Sequence, residues 1–243
     1  MLKYDLYPPR TPNAGILFVD HQAKGRSGHL SHALVEYKKG CVLAFYSNCS
    51  GKRNKGHNGF GWLEYRRSTD YGSTWDGGTV LPYSMDCLLN EPYTVSCEKA
   101  VSPAENVVVA LCIRNEDPNG WEPYLEPVTL RSEDGGITWS DAMPFCPRRG
   151  RIYDAVVADG VIYALMLAII DFLTSAPDQR YQLYVSEDQG RSFELRSELP
   201  GEYLSHAYGS LAFRDDGSLV AYTYDHEDEY NLDCFISRDQ GRT

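Results

Sequence analysis

Three side chains of this sequence stand where nucleophilic or acid–base chemistry would need them. Glu91 and Tyr93 lie in the segment NEPY (90–93), and Asp154 follows the arginine-rich segment RRGR (148–151). A carboxyl group can transfer protons, and a phenol can act as a nucleophile when a neighbouring base assists it. Each of the three residues lies at or near the beginning of a strand-like segment. We therefore predict that they are catalytic residues.

Eight further residues could bind a polar substrate. Arginine holds a carboxylate through two parallel N–H donors, and a sugar site requires such donors together with tyrosine or histidine. Two nearby histidines, as in HLSH (29–32), do not complete a metal shell, so no metal site and no cofactor are predicted. Any one of these residues has a structural explanation, and their predicted convergence on one face favours binding. They are Arg26, His29, His32, Arg53, Arg114, Arg151, His206 and Tyr208.

A repeated turn pattern organises the segments that must position these residues. RSEDGGITW (131–139) has its counterparts in RSTDYGSTW (67–75), VSEDQGRSF (185–193) and ISRDQGRT (236–243). The aspartates are separated by 64, 54 and 51 residues. A period of this size is typical of one supersecondary unit per repeat. The sequence is therefore an array of related units.

Each unit is predicted to contain four strands. An apolar strand such as IYDAVVAD is followed by a short turn, a more buried strand such as GVIYALMLAII, a polar stretch and a third strand such as YQLYVS. The repeated turn and a short fourth strand complete the unit. Four strands per repeat predict an all-β fold with propeller blades. In a propeller the first strand of each blade lines the axis, so the residues above share one face and the repeated turns the other.

The repeated turn is interpreted as structural. Its aspartate can accept backbone N–H bonds within the turn, its glycine adopts a conformation that costs other residues energy, and the aromatic residue packs between strands. A catalytic role fits poorly with an aspartate present in every unit. A calcium loop is the weaker alternative, because one carboxylate per turn is too few for that ion.

Composition excludes several classes of function. The formal net charge of −11 argues against binding the phosphates of nucleic acid. The longest apolar run, VIYALMLAII (161–170), is too short to span a membrane as a helix. No signal peptide is seen in the sequence, so a cytoplasmic location is expected, and secretion of a longer form is left open. Seven scattered cysteines are expected to be buried free thiols.

The pattern Ser-x-Asp-x-Gly-x-Thr-Trp resembles the Asp-box, or BNR repeat, of the sialidase-like superfamily. The resemblance covers residues 28–243, with 1–27 as a leader and closing strand or loop. It implies a sialidase-type β-propeller, six-bladed when complete, of which this chain represents about four blades, the last incomplete. It further implies a tyrosine nucleophile assisted by a glutamate, an aspartate as acid/base, and arginines that hold a substrate carboxylate.

The predicted function is that of a sialidase-like glycoside hydrolase, or a large fragment of one, which acts on a terminal sugar, with sialic acid as one candidate. The alternative is a non-catalytic propeller that binds glycans or proteins. The expected ligand is a carbohydrate in either case, with no nucleic acid or membrane partner. Because the fourth unit stops within its turn, the 243-residue chain is expected to release little or no sugar by itself.

Overall fold

The computed structural model describes residues 26–27, 31–50, 61–91, 93–115, 124–170, 179–201, 207–225 and 231–243. These residues form four antiparallel sheets, which confirms the predicted all-β fold of blade-like units. Each sheet contains the predicted first strand of one repeat, and in blade one the short strand β1 precedes it. The number of blades in a complete ring stays a prediction.

Blade one contains five strands and leads into the helix of the described chain. The strands are β1 (Arg26–Ser27), β2 (His32–Lys38), β3 (Cys41–Ser50), β4 (Gly61–Ser68) and β5 (Thr79–Val80). Both β1 and β2 pair with β3, and β4 and β5 follow in order. The helix α1 (Pro82–Asn90) then carries the chain to the second blade. The sequence analysis did not predict α1, whose nine residues present a weak apolar pattern.

Blades two and three have the predicted four strands, in the order of the chain. Blade two is formed by β6 (Thr94–Val101), β7 (Val108–Asn115), β8 (Val128–Ser132) and β9 (Met143–Pro144). Blade three is formed by β10 (Gly150–Ala158), β11 (Val161–Ala168), β12 (Arg180–Ser186) and β13 (Glu194–Glu198). The long apolar run after residue 160 is therefore the buried second strand β11, as predicted. Within its described residues blade four has three strands, β14 (Ala207–Phe213), β15 (Leu219–Asp225) and β16 (Asp233–Ser237).

The first strands of successive blades lie side by side. Strand β2 contacts β6, β6 contacts β10, and β10 contacts β14. This neighbour relation is that of inner strands around a common axis, with the later strands of each blade progressively further out. The residues at the start of each inner strand consequently come together although the repeats are more than 50 residues apart in the chain.

The core consists of apolar layers between neighbouring blades. On β7 the side chains of Val108, Ala110 and Cys112 face the layer shared with blade one, whereas Val109 and Leu111 face the layer shared with blade three. Such alternation follows from the two-residue period of a strand. A second strand covered on both faces must be apolar throughout, which explains the continuous hydrophobic runs in the sequence.

The repeated turns (residues 68–75, 132–139, 186–193 and 237–243) form the predicted hydrogen-bond network. In the second turn Asp134 Oδ1 accepts bonds from Ser132 Oγ at 2.8 Å and from the Ile137 and Thr138 backbone N–H groups at 2.9 Å, while Oδ2 accepts the Thr138 hydroxyl at 2.6 Å. The other three turns repeat this geometry. The carboxylates are thus occupied by their own turns, as the structural interpretation requires.

The second, third and fourth repeated turns also pack on the preceding blade. Gly136 has φ of 81°, and a Cβ placed on it would lie 2.6 Å from Leu43 of blade one. Gly190 has φ of 83°, and its Cβ would lie 2.4 Å from Val109 of blade two. Glycine is required at this position both for the left-handed backbone and for the close approach of the neighbouring blade.

Four of the described cysteines are buried free thiols, as predicted, namely Cys87, Cys97, Cys112 and Cys146. The prediction is wrong for Cys234, which is exposed on β16. No helix in the described part of the chain has the length and hydropathy needed to cross a membrane.

Candidate functional site

The predicted site residues of the described chain lie at one end of the sheets, which we call the entry face. It is the end at which the inner strands β2, β6, β10 and β14 begin and the second strands end. His32, Tyr93, Arg151 and Tyr208 lie at the starts of the four inner strands, and Arg114 lies near the end of β7. The repeated turns lie at the opposite end, because they follow the third strand of each antiparallel sheet.

Four of the predicted residues lie wholly or partly outside the described residues. His29, Arg53 and His206 lie outside the described residues, and of Arg26 the structure describes only the backbone of β1, which pairs with Ser50. His32 is exposed on β2. The remaining predicted residues, apart from His32, lie in blades two, three and four or directly before them.

Arg151 forms a buried ion pair with Glu98 of the neighbouring inner strand. Its Nη2 and Nε atoms lie 3.2 Å and 3.3 Å from Glu98 Oε2, and the two side chains are 11% and 8% exposed. The Arg151 Nη1 group donates to the hydroxyl of Tyr124 at 3.4 Å, and its guanidinium lies 5.4 Å from the ring centre of Tyr153. Ser31 of blade one donates a hydrogen bond to Glu98 as well. One carboxylate thus connects three blades near the axis.

Glu98 was not among the site residues predicted from the sequence. It lies in the middle of β6, where the register with β7 shifts between Cys97 and Lys99. An extra residue at such a bulge redirects the side chains that follow. The available signal was the pair of charged residues 98–99 inside an otherwise uncharged strand, because burying a charge requires a partner.

Asp154 connects the inner strands of blades two, three and four. Its Oδ1 atom lies 2.9 Å from Lys99 Nζ and accepts the Ala155 backbone N–H at 2.8 Å. Its Oδ2 atom accepts the Ser210 hydroxyl and the Leu211 backbone N–H, each at 2.8 Å. Both oxygens are occupied, and the residue is 8% exposed. These contacts explain Asp154 as a structural residue, and the catalytic role stays a prediction.

Tyrosine rings from blades three and four form a continuous aromatic surface at the entry face. The ring centres of Tyr153 and Tyr208 are 5.5 Å apart, and those of Tyr208 and Tyr224 are 5.4 Å apart. Tyr208 is 37% exposed. An exposed aromatic ring with a polar edge suits the apolar face and the hydroxyl groups of a sugar.

Glu91 and Tyr93 lie together where the chain leaves α1 and enters blade two. The Glu91 N–H donates to Cys87 O at 3.0 Å and so closes the helix, and the Tyr93 N–H donates to Glu91 O at 2.8 Å. The Glu91 side chain is exposed. The guanidinium of Arg114 lies 5.9 Å from the ring centre of Tyr93. The structure thus brings three predicted residues into one cluster, which lines a cavity of about 380 Å³.

Comparisons with known proteins identify the fold. No protein-family model and no curated protein sequence matches the chain. Among solved structures, a Hadza microbial sialidase superposes with a TM-score of 0.64 at 18% identity, covering 90% of this chain and 48% of the sialidase. The phage phi92 endosialidase superposes with a TM-score of 0.62 at 10% identity, covering 87% of this chain and 45% of the endosialidase. An α-L-arabinanase of Penicillium chrysogenum complexed with arabinobiose superposes with a TM-score of 0.53 at 13% identity, covering 87% of this chain and 60% of the arabinanase.

The chain therefore has the fold of the sialidase-like propellers, as the repeated turns predicted. It spans about half the length of the sialidases to which it is similar.

Proposed function

We propose that this protein is a glycoside hydrolase of the sialidase-like fold that acts on the terminal sugar of a glycan at the entry face. The observation that carries the proposal is the convergence of Arg151, Tyr153 and Tyr208 where the inner strands of blades three and four begin. Similarity in fold to sialidases and to an arabinanase supports a carbohydrate as ligand.

The binding part of the proposal rests on an ordered donor beside an aromatic surface. The Glu98 carboxylate holds the Arg151 guanidinium in place, so little conformational entropy remains to be lost when a ligand binds. Tyr208 offers its exposed ring for stacking against a sugar. Sialic acid is the first terminal sugar to test, because the fold is similar to that of sialidases.

The catalytic part of the proposal assigns acid–base chemistry to Glu91 with Tyr93 beside it. Of the three acidic side chains Glu91, Glu98 and Asp154, only Glu91 is exposed. A proton donor must reach the glycosidic oxygen of the substrate, which a carboxylate occupied by buried structural contacts does not do.

A non-catalytic glycan-binding propeller is the second candidate. The observation that favours it is the full occupation of Asp154 and Glu98 by contacts between blades. A site of this kind would retain the aromatic surface and the ordered arginine but lack the second carboxylate of a hydrolase.

One experiment separates the two candidates. Binding is measured by calorimetry and turnover with a panel of aryl glycosides that includes an aryl sialoside, for the natural sequence, Glu91→Gln and Tyr208→Ala. Asp215→Ala, in the exposed turn between β14 and β15 at the opposite end, is the matched control. A hydrolase loses turnover but keeps binding in Glu91→Gln, and loses affinity in Tyr208→Ala. Turnover is compared between this chain and a form extended through two more blades. Binding without turnover in both forms favours the second candidate, and failure of both forms to bind or cleave any glycan refutes both candidates.

A further inference from the structure

A groove crosses all four strands of blade two at the entry face. Its lining includes Tyr93 at the start of β6, Arg114 from β7, Val128 from β8 and Pro144 from β9. Since these strands lie in this order from the axis outward, the groove runs radially. It consists of two cavities of about 590 and 380 Å³, which share Arg114 and Tyr83 of α1. Three spacings between strands give it a length of about 14 Å.

The shared part of the groove has fixed hydrogen-bonding groups. Arg114 donates from Nε to the Glu126 backbone carbonyl at 2.9 Å, and its Nη2 atom lies 3.7 Å from the Glu126 carboxylate. Burial and a hydrogen bond with Cys87 raise the pKa of Tyr83 to about 12, so its hydroxyl remains protonated at neutral pH. The centre of the groove thus presents a guanidinium and a phenol in defined positions.

The charge of the groove selects against acidic ligands. Asp86 and Glu91 line the inner cavity, and Glu126 and Asp141 line the outer cavity. Arg114 is the cationic side chain that lines both cavities. The Glu126 carboxylate is shared between Arg114 and Arg149, each at 3.7 Å, so Asp86, Glu91 and Asp141 contribute the remaining negative charge. The carboxylates of a polyanionic chain would be repelled by this lining, whereas sugar hydroxyl groups would find acceptors at both ends and donors in the middle.

We propose that this groove binds the uncharged sugar residues that follow the terminal sugar of the glycan. The inference rests on the proposed function, because the groove would hold another part of the same glycan, the part that extends away from the axis. The inner cavity of the groove is lined by Glu91, the proposed acid–base residue, so the sugar residues beyond the cleaved bond would enter the groove there. The ligand class is accordingly a neutral oligosaccharide chain, irrespective of whether its terminal sugar carries a charge.

The test uses the whole chain and ligands of matched length. Arabinotriose, xylotriose and galactotriose serve as neutral probes, and trigalacturonate serves as the acidic probe, with affinities measured by calorimetry. Asp86→Ala and Asp141→Ala each remove an exposed acceptor from one end of the groove. We expect either change to lower the affinity for the tightest-binding neutral trisaccharide roughly tenfold. Asp215→Ala at the opposite end is expected to leave the affinity unchanged, and all variants should melt as the natural sequence does.

A charge reversal gives a second, independent measurement. The double variant Asp86→Lys with Asp141→Lys should lose affinity for the neutral probe and gain affinity for trigalacturonate. If a neutral trisaccharide binds but neither aspartate affects it, the groove proposal is refuted while the proposed function stands. Trigalacturonate binding to the natural sequence as tightly as the neutral probes also overturns the proposal. Absence of binding and turnover with every glycan refutes the groove and the proposed function together.

Discussion

Removing the carboxylate of Asp134 tests whether the repeated turns are structural. Asp134 accepts four hydrogen bonds, from the Ser132 hydroxyl, the Ile137 N–H, and the N–H and hydroxyl of Thr138. The substitution Asp134→Ala leaves these four donors to water and releases the turn that packs on blade one. The turn lies at the end of the sheet opposite the entry face, so no ligand contact should change.

The magnitude follows from the pKa of the same carboxyl group. Partial burial would raise the pKa of Asp134, but hydrogen bonds from Thr138 and Ser132 outweigh it and lower the pKa from 3.8 to about 2. This difference corresponds to about 2.4 kcal/mol. Discounted for the solvent screening of a largely accessible group, it becomes about 1–2 kcal/mol of the free energy of unfolding. In a chain of this length the melting temperature should fall by about 3–6 °C.

The effect must depend on pH with a definite sign. Because the folded-state pKa of Asp134 is lower than the unfolded-state value, its stabilisation is complete above about pH 4 and is lost as the pH falls toward 2. Thermal melts of the natural sequence, Asp134→Ala and Asp134→Asn at pH 7 and at pH 2 measure this. The asparagine variant keeps one oxygen acceptor and should lose less stability. The difference between the natural sequence and Asp134→Ala should shrink at pH 2.

The control for this prediction is Asp215→Ala, an exposed aspartate in another turn of the same end. It should melt within about 1 °C of the natural sequence at both pH values. The structural interpretation is refuted if Asp134→Ala melts normally but no longer binds a glycan that the natural sequence binds.

Three further changes test the contacts between blades. Gly190→Ala should destabilise the protein by more than about 1 kcal/mol in urea unfolding, because the added Cβ would lie 2.4 Å from Val109 and the backbone φ is 83°. An unchanged unfolding midpoint would contradict this packing. Glu98→Gln should lower the free energy of unfolding by about 3–5 kcal/mol, because it leaves Arg151 buried without its charge partner. The double variant with Arg151→Met should recover part of this loss of stability. Strictly additive losses would show that the two residues are not coupled. Asp154→Asn should lower the melting temperature, and any loss of turnover should be explained by that loss of stability. Lost turnover in a variant of unchanged stability would instead support the predicted catalytic role.

The repeated turns and the strands that they join could be predicted because their interactions are local. In each turn the first serine, the aspartate, the glycine and the final threonine or serine interact within eight residues, so their relative positions follow from the local sequence. The two-residue alternation and the continuous apolar second strands likewise follow from which faces of a strand are covered. These local rules determined the all-β fold, the blade units and the face on which the candidate site lies.

The partners of the site residues were decided by the tertiary structure alone. Glu98 and Arg151 are 53 residues apart, and Ser210 lies 56 residues from Asp154, so no local spacing relates them. The register of β6 shifts after Cys97, and a similar shift in β10 precedes Asp154. Each shift places an extra residue in the strand, so counting in twos from the strand start no longer tells which side chains face the axis. The sequence thus predicted the end of the blades at which the described candidate residues lie, and only the packing of successive blades decided whether a carboxylate there remains exposed or becomes part of the framework.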